Sequence, residues 1–303
     1  MTQDTSRPFG RLLTAMVTPF TSEGALDLDG AARLATYLVD EQANDALVIN
    51  GTTGESPTTT DAEKENLLRA VVEAVGDRAR VVAGVGTNDT RHTIELAHQA
   101  EKAGAHGLLV VTPYYNKPPQ PGLVRHFTAV ADAAGLPILL YDIPHRSGVP
   151  ISTETLCRVA EHERVVGVKD AKGDLAATAW VLRRTELAYY SGEDALTLPM
   201  LSIGGVGVVG TSSHLTGVGT KQLIEAYERG EVAEARRLHH QLLPLFTGIF
   251  RTQGTILVKA AMSALGLPAG PVRPPLVDAT EAELAQLRAD CVDAGLPLPA
   301  GAA

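Results

Sequence analysis

Apolar and polar positions along this chain follow a long rhythm: a short apolar run rich in Val, Ile and Leu, then an amphipathic stretch with apolar residues three or four apart. The runs predict strands at residues 12–17, 46–50, 80–85, 107–111, 137–141, 165–169, 188–191 and 206–210. Between them, residues 61–75, 90–103, 123–134 and 174–184 carry the period of amphipathic helices. Eight strands alternating with helices close most economically into a (β/α)8 TIM barrel of the α/β class, with its active site at the C-terminal ends of the strands. A doubly wound open sheet is the competing arrangement, but no GxGxxG follows the first strand.

From about Gly230 the pattern changes. Residues 231–250, 254–265 and 280–294 are helical in period, no further strand follows, and the link at 267–275 is too rich in proline for helix. Two parts are therefore expected: residues 1–230 as the barrel carrying the active site, and residues 231–303 as a small C-terminal helical domain that frays over 296–303.

Charge and composition narrow the function. The net charge is -9 and no dense Lys/Arg block occurs, which argues against a nucleic-acid binder. No apolar run approaches the ~18 residues of a membrane span, and residues 1–11 lack the apolar core of a signal peptide, so the expected compartment is the cytoplasm. Cys157 and Cys291 lie far apart on helical segments, a spacing that suits packing better than a metal or a disulfide framework. The histidines contain no HExxH; His92, His98, His106, His126 and the pair His239–His240 are expected on helix surfaces, and no metal is expected in the catalytic step.

Candidate chemistry gathers where strands end. Lys169 closes an apolar strand and precedes a glycine turn. A free lysine, with a pKa of about 10.4, is almost wholly protonated at neutral pH, whereas burial at a barrel mouth would release the amine for imine formation with a keto acid. The alternative is a lysine that ends its strand and pairs with Asp170 or Asp174. After the second strand, Asn50-Gly51-Thr52-Thr53-Gly54-Glu55-Ser56 offers hydroxyls and amide N–H groups as a nest for a carboxylate, or a turn capping the next helix. Tyr114 and Tyr115 on the loop after the fourth strand supply phenol donors or an interface. Tyr141 ends the fifth strand, and Arg146 follows on a loop shaped by Pro and Gly, where a guanidinium can fork onto a second carboxylate. Taken singly, these two are equally a core tyrosine and a solvated arginine. Glu193 and Asp194 follow the seventh strand, and the glycines at 204–210 either admit a planar substrate close to the backbone or relieve packing.

GTTGES at 51–56, YYNKP at 114–118, YDIPHRSG at 141–148, GVKDAKGD at 167–174 and SGEDALTLPM at 191–200 together resemble the pyruvate-dependent class I aldolase family, over about residues 10–270. The Arg of PHRSG points to the branch that condenses pyruvate with L-aspartate 4-semialdehyde in the diaminopimelate route to lysine. The resemblance implies that Lys169 forms the imine and that Tyr141, Thr52 and Tyr115 relay protons, Tyr115 reaching into a neighbouring subunit's site. It implies Thr53 for the pyruvate carboxylate, Arg146 for the semialdehyde carboxylate, and Val209 as a backbone contact near the nucleophile. No cofactor beyond the covalent pyruvate and a homotetramer built as a dimer of dimers are further implications. The alternatives are a lyase of the same superfamily acting on a 2-keto-3-deoxy sugar acid or N-acetylneuraminate, with little need for Arg146, and a non-catalytic keto-acid sensor.

The chain departs from the family pattern at Asp142, where Asn is common, at Lys172, where Thr or Ser is common, and over residues 210–214. Feedback-sensitive members bind L-lysine at the dimer interface through a Ser, an Asn, a Tyr, two His and a Glu. Ser56, Asn88 and Tyr114 match here, but Asp61 and Lys64 hold the His positions and His92 the Glu position, so weak or absent inhibition by lysine is expected.

Overall fold

The structure, a computed structural model, describes residues 6–299; the expectations for the extreme N-terminus and for the last part of the frayed tail concern residues 1–5 and 300–303, outside the described residues. Strands β1 (Leu12–Ala15), β2 (Ala46–Ile49), β3 (Arg80–Gly84), β4 (Gly107–Val111), β5 (Ile138–Asp142), β6 (Val165–Asp170), β7 (Ala188–Ser191) and β8 (Gly207–Gly210) pair in parallel and in chain order, and β8 closes on β1. The predicted barrel is present, each strand within two residues of its expected bounds.

Twelve α-helices alternate with and follow these strands among the described residues. They are α1 (Leu28–Asp40), α2 (Asp61–Val75), α3 (Thr90–Lys102), α4 (Gln120–Ala133), α5 (Pro144–Ser147), α6 (Thr153–Val159), α7 (Leu175–Leu182), α8 (Thr197–Ser202), α9 (Ser213–Glu228), α10 (Val232–Gly248), α11 (Gly254–Ala264) and α12 (Glu281–Asp293). Local chemistry fixes several starts. Thr60 and Glu63 form a reciprocal capping box at α2, and Asp174 accepts from the Ala177 N–H at the head of α7.

Period two sorts each strand between two apolar compartments. Leu13, Ala15, Val48, Leu139 and Tyr141 fill the barrel interior, while Leu12, Leu47, Ile49, Ile138 and Leu140 face the helical layer. One irregularity decides the site. Ile138 pairs with Val165 but Leu139 pairs with Gly167, so Val166 is an extra residue in β6. Beyond this bulge Tyr141 stands beside Lys169; without it Lys169 would pair with outward-facing Asp142. Gly167 is required there, because a Cβ would collide with the Ala188 carbonyl oxygen.

The C-terminal helices are tightly joined to the barrel. Glu55, just past the nest, pairs with Lys259 of α11 at 2.7 Å, both side chains almost wholly buried. The Thr255 hydroxyl donates to the Thr53 carbonyl at 3.0 Å. Arg273 donates its backbone N–H to Glu55 and its guanidinium to Gly24 O, Thr58 O and Glu63, while stacking on Phe20.

Two of the histidine expectations are corrected. His126 is buried on α4 with Nδ1 at 3.0 Å from the Thr90 hydroxyl, because its ring fills the seam between α3 and α4. His106 lies outside the helices, before β4, and its Nδ1 accepts from the Val81 N–H. Both cysteines are free, Cys291 in the core and Cys157 half-buried. No helix among the described residues is long and apolar enough to cross a membrane.

The Glu55–Lys259 pair yields a stability prediction. Lys259→Met leaves a buried carboxylate without its cation and should destabilise the fold by about 3–5 kcal/mol. Thermal unfolding of the two proteins measures this, and coincident midpoints would show that the pair does not secure the seam.

Candidate active site

The C-terminal ends of the strands form a mouth in which the candidate residues meet. Lys169 on β6 is 5% exposed, and its Nζ lies 4.2 Å from the centroid of the Tyr141 ring on β5. Burial pulls the amine down to a pKa of about 8, against Asp194 and Glu193, which favour the ammonium. Asp170 and Asp174 are not its partners. Asp170 points outward, accepting from the Thr178 hydroxyl at 2.6 Å and the Lys172 N–H at 2.8 Å, and Asp174 caps α7.

Asp194 is a site residue that the sequence flagged only as part of a cluster. Its carboxylate is buried, pushed up in pKa by that burial, and accepts from the Ser212 hydroxyl and from the Thr211 and Ser212 N–H groups at 3.2 and 3.0 Å. The short loop after β8 therefore clamps a carboxyl group whose charge acts on Lys169. Gly210 makes room for it, since a Cβ there would strike Asp194, and Gly207 lies against the Arg11 carbonyl. Within β8, Gly207 thus serves backbone packing and Gly210 makes room for the Asp194 carboxylate. A Ser-Ser pair opening a helix was the sole sequence signal for this clamp.

The nest takes the shape suited to an anion. Thr52 and Thr53 stand in a tight turn closed by Gly54 N–H to Gly51 O and Glu55 N–H to Thr52 O. Among the described residues, their own N–H groups have no protein acceptor, which leaves two adjacent donors in the turn. The capping alternative is excluded, because Thr60 caps α2. Thr53 also shares a 3.2 Å hydroxyl contact with Thr211, and Thr52 lies near the Tyr141 phenol and favours its ionised form slightly. Burial lifts the Tyr141 phenol well above its ordinary pKa, so it stays protonated at neutral pH.

Two adjoining cavities open at the mouth. One, about 220 Å³, is lined by Thr53, Lys169, Glu193 and Thr211, with residues 252–255 of the C-terminal part as its far wall. The other, about 350 Å³, is lined by Gly86, Leu109, Tyr114 and Tyr115. Thr52, Tyr141 and Arg146 line both. Arg146 sits on the single turn of α5, started by Pro144 and stopped by Gly148 at φ 84°, and has no ion-pair partner among the described residues. Tyr115 is 90% exposed at φ 73°, a ring held out from the surface. Val209 packs in the barrel interior with Tyr141 and lines neither cavity.

The sequence profile of the Dihydrodipicolinate synthetase family matches residues 8–294. The chain belongs to that family. Among its relatives, the 4-hydroxy-tetrahydrodipicolinate synthase of Acidothermus cellulolyticus is 71% identical over 288 residues, covering 95% of this chain and 93% of the relative. A second, 4-hydroxy-tetrahydrodipicolinate synthase 2 of Streptomyces coelicolor, is 62% identical over 291 residues, covering 96% and 97%. The crystal structure of the Cyanidioschyzon merolae enzyme with lysine bound superposes with a TM-score of 0.93 at 44% identity, covering 95% of this chain and 99% of that one.

For this synthetase-family chain the depressed amine has a measurable signature. With a pKa of about 8, Lys169 is about one-tenth neutral at pH 7, roughly two hundred times the fraction of an ordinary lysine. The rate of borohydride trapping with pyruvate should rise about tenfold per pH unit below 8 and level off above it, and Lys169→Ala should abolish the adduct. A rate still climbing steeply above pH 9 or so would contradict the depressed pKa.

Proposed function

We propose that the chain condenses pyruvate with L-aspartate 4-semialdehyde through a Schiff base on Lys169, giving 4-hydroxy-tetrahydrodipicolinate on the diaminopimelate route to lysine. The observation that carries this reading is a buried, reactive amine next to two carboxylate receptors of different kinds: the Thr52–Thr53 N–H pair and the guanidinium of Arg146. Two such receptors match two carboxylate substrates.

The chemistry follows from the geometry. The neutral amine of Lys169 adds to the ketone of pyruvate, whose carboxylate lies in the nest, and water leaves as the imine forms. The cationic imine nitrogen acidifies the pyruvate methyl group, and loss of a proton gives the enamine. Tyr141, near Thr52 and protonated at neutral pH, first donates and then accepts protons in these steps. The enamine carbon attacks the aldehyde of the second substrate, held through its carboxylate by Arg146. Glu193 stands across the same cavity, so the wall offers both charges of an amino-acid substrate. The substrate's own amine then attacks the imine carbon, closes the ring and expels Lys169. No step draws on a resident cofactor.

The same reading takes Tyr115 to complete a neighbouring subunit's proton relay, which its exposed, left-handed position supports, in a homotetramer built from dimers. The compartment consistent with it is the cytoplasm.

The reading is tested by turnover and by one arginine. The protein should consume pyruvate with aspartate semialdehyde and leave 2-keto-3-deoxy sugar acids and N-acetylneuraminate untouched. Arg146→Ala should lower kcat/KM for the semialdehyde by roughly a hundredfold or more, the loss of a charge-assisted bidentate contact, while pyruvate trapping stays nearly normal. Equal loss of both steps would remove Arg146 from the second substrate.

A second expectation concerns lysine. In this structure Asp61, the acid that could attract an incoming ammonium, already lies 2.9 Å from His92 Nε2 and 3.8 Å from Lys64 Nζ. Lys64 also donates to the Thr59 carbonyl, which fixes its cation at this spot. Initial rates should change little with added L-lysine, and saturating inhibition at submillimolar lysine would overturn the substitution argument.

A further inference from the structure

We propose that Asp142 and Lys172 form a positioning pair that fixes the Arg146 loop against the Lys169 strand and thereby sets the use of the second substrate. The proposal rests on the condensation reading above. Asp142 ends β5 immediately after Tyr141 and points away from the cavity, its side chain 1% exposed. Lys172 stands three residues after Lys169, 14% exposed, with Nζ 3.2 Å from Asp142 Oδ2.

A third segment closes the circuit. Asp142 Oδ1 accepts from the Ile151 N–H at 3.1 Å, and Lys172 Nζ donates to the Ile151 carbonyl at 3.4 Å. Residues 143–150, which carry Arg146, are thus pinned at both ends: by the strand that presents Tyr141 and by the loop that leaves Lys169. A buried ion pair seldom stabilises more than an apolar pair of the same volume would. What it does supply is one geometry that satisfies both charges and the Ile151 peptide groups, and that geometry relates Arg146 to the nucleophile.

The surroundings make the pair responsive to pH. Asp142 faces Lys172 from the loop after β6, Asp170 from β6 and Tyr189 from β7, with Cys157 of α6 beside Tyr189. Burial raises the Asp142 carboxyl to about 6, with Lys172 and the Ile151 N–H opposing and Asp170 adding to the rise. Below that pH the carboxyl takes up a proton, the charge–charge attraction is lost, and the Arg146 loop is held by hydrogen bonds alone.

The experiment compares wild type, Asp142→Asn, Lys172→Met, Lys172→Arg and the double variant Asp142→Asn/Lys172→Met. Pyruvate trapping and steady-state semialdehyde kinetics are measured on both sides of pH 6. Each neutralising single variant should trap pyruvate within about twofold of wild type yet raise the KM for the semialdehyde about five- to tenfold, with a smaller change in kcat. Lys172→Arg should recover most of that loss, and the double variant should be less impaired than the product of the two singles. At saturating pyruvate, kcat/KM for the semialdehyde in wild type should fall below pH 6 by more than the tenfold per pH unit that Lys169 alone would impose, and this additional fall should be absent in Asp142→Asn. An unchanged KM and pH profile in both singles would overturn the proposal, as would parallel losses of trapping, turnover and melting temperature, which mark a merely structural pair. Wild type that traps pyruvate but does not consume the semialdehyde would overturn the condensation reading and this one with it; normal turnover with unaffected variants would overturn this one alone.

Discussion

The lysine amine proposed to react, which must be neutral to do so, is buried at the barrel mouth where burial disfavours its charged form, and the rest of the proposed site is arranged around that constraint. Moving Lys169 from an ordinary lysine pKa to about 8 represents on the order of 3 kcal/mol of differential stabilisation between its two protonation states. The closed barrel supplies the desolvation, because Leu139, Tyr190 and Val209 belong to the apolar cluster that fills its interior. Asp194 and Glu193 limit the effect by favouring the ammonium. The amine is therefore poised near neutrality instead of being driven far below it.

The two proposed carboxylate receptors differ for a physical reason. The nest consists of backbone dipoles in a fixed turn, so it presents donors without adding a full charge beside an imine that is itself cationic. Arg146 carries its charge at the rim, where the guanidinium stays solvated until a second anion arrives. A fixed nest needs an anchor, and it lies outside the barrel: Glu55, held in left-handed backbone at φ 56°, is locked by Lys259 and Arg273, and Thr255 binds the Thr53 carbonyl. Stability and the proposed function meet in this seam, since the residues that weld the C-terminal helices to the barrel also fix the donors proposed for the first substrate.

Much of this architecture was legible along the chain because it depends on near neighbours. Alternation of apolar residues determined the strands, and the polar residues ending apolar runs marked the rim of the barrel. Lys169, Tyr141, Thr52, Thr53 and Arg146 stood out on those grounds, and the structure brings all five to the two cavities.

What only the tertiary structure decided depends on pairing across distance. Val165, Val166 and Val168 are alike in polarity, so periodicity cannot tell which one the bulge leaves unpaired, yet that choice turns Lys169 inward. His126 lies at a helical spacing that suits a surface or a buried seam equally, and the approach of α3 made it buried. Asp194 became a partner of the amine only when the loop after β8 folded over it, and Asp142 met Lys172 only when β5 and β6 came side by side. Sequence by itself determined the elements and the residues at their ends, because backbone propensity, caps and period act within a few positions. Register, closure and the return of the C-terminal helices over the mouth belong to the tertiary structure, because they arise from contacts between segments that the chain keeps far apart.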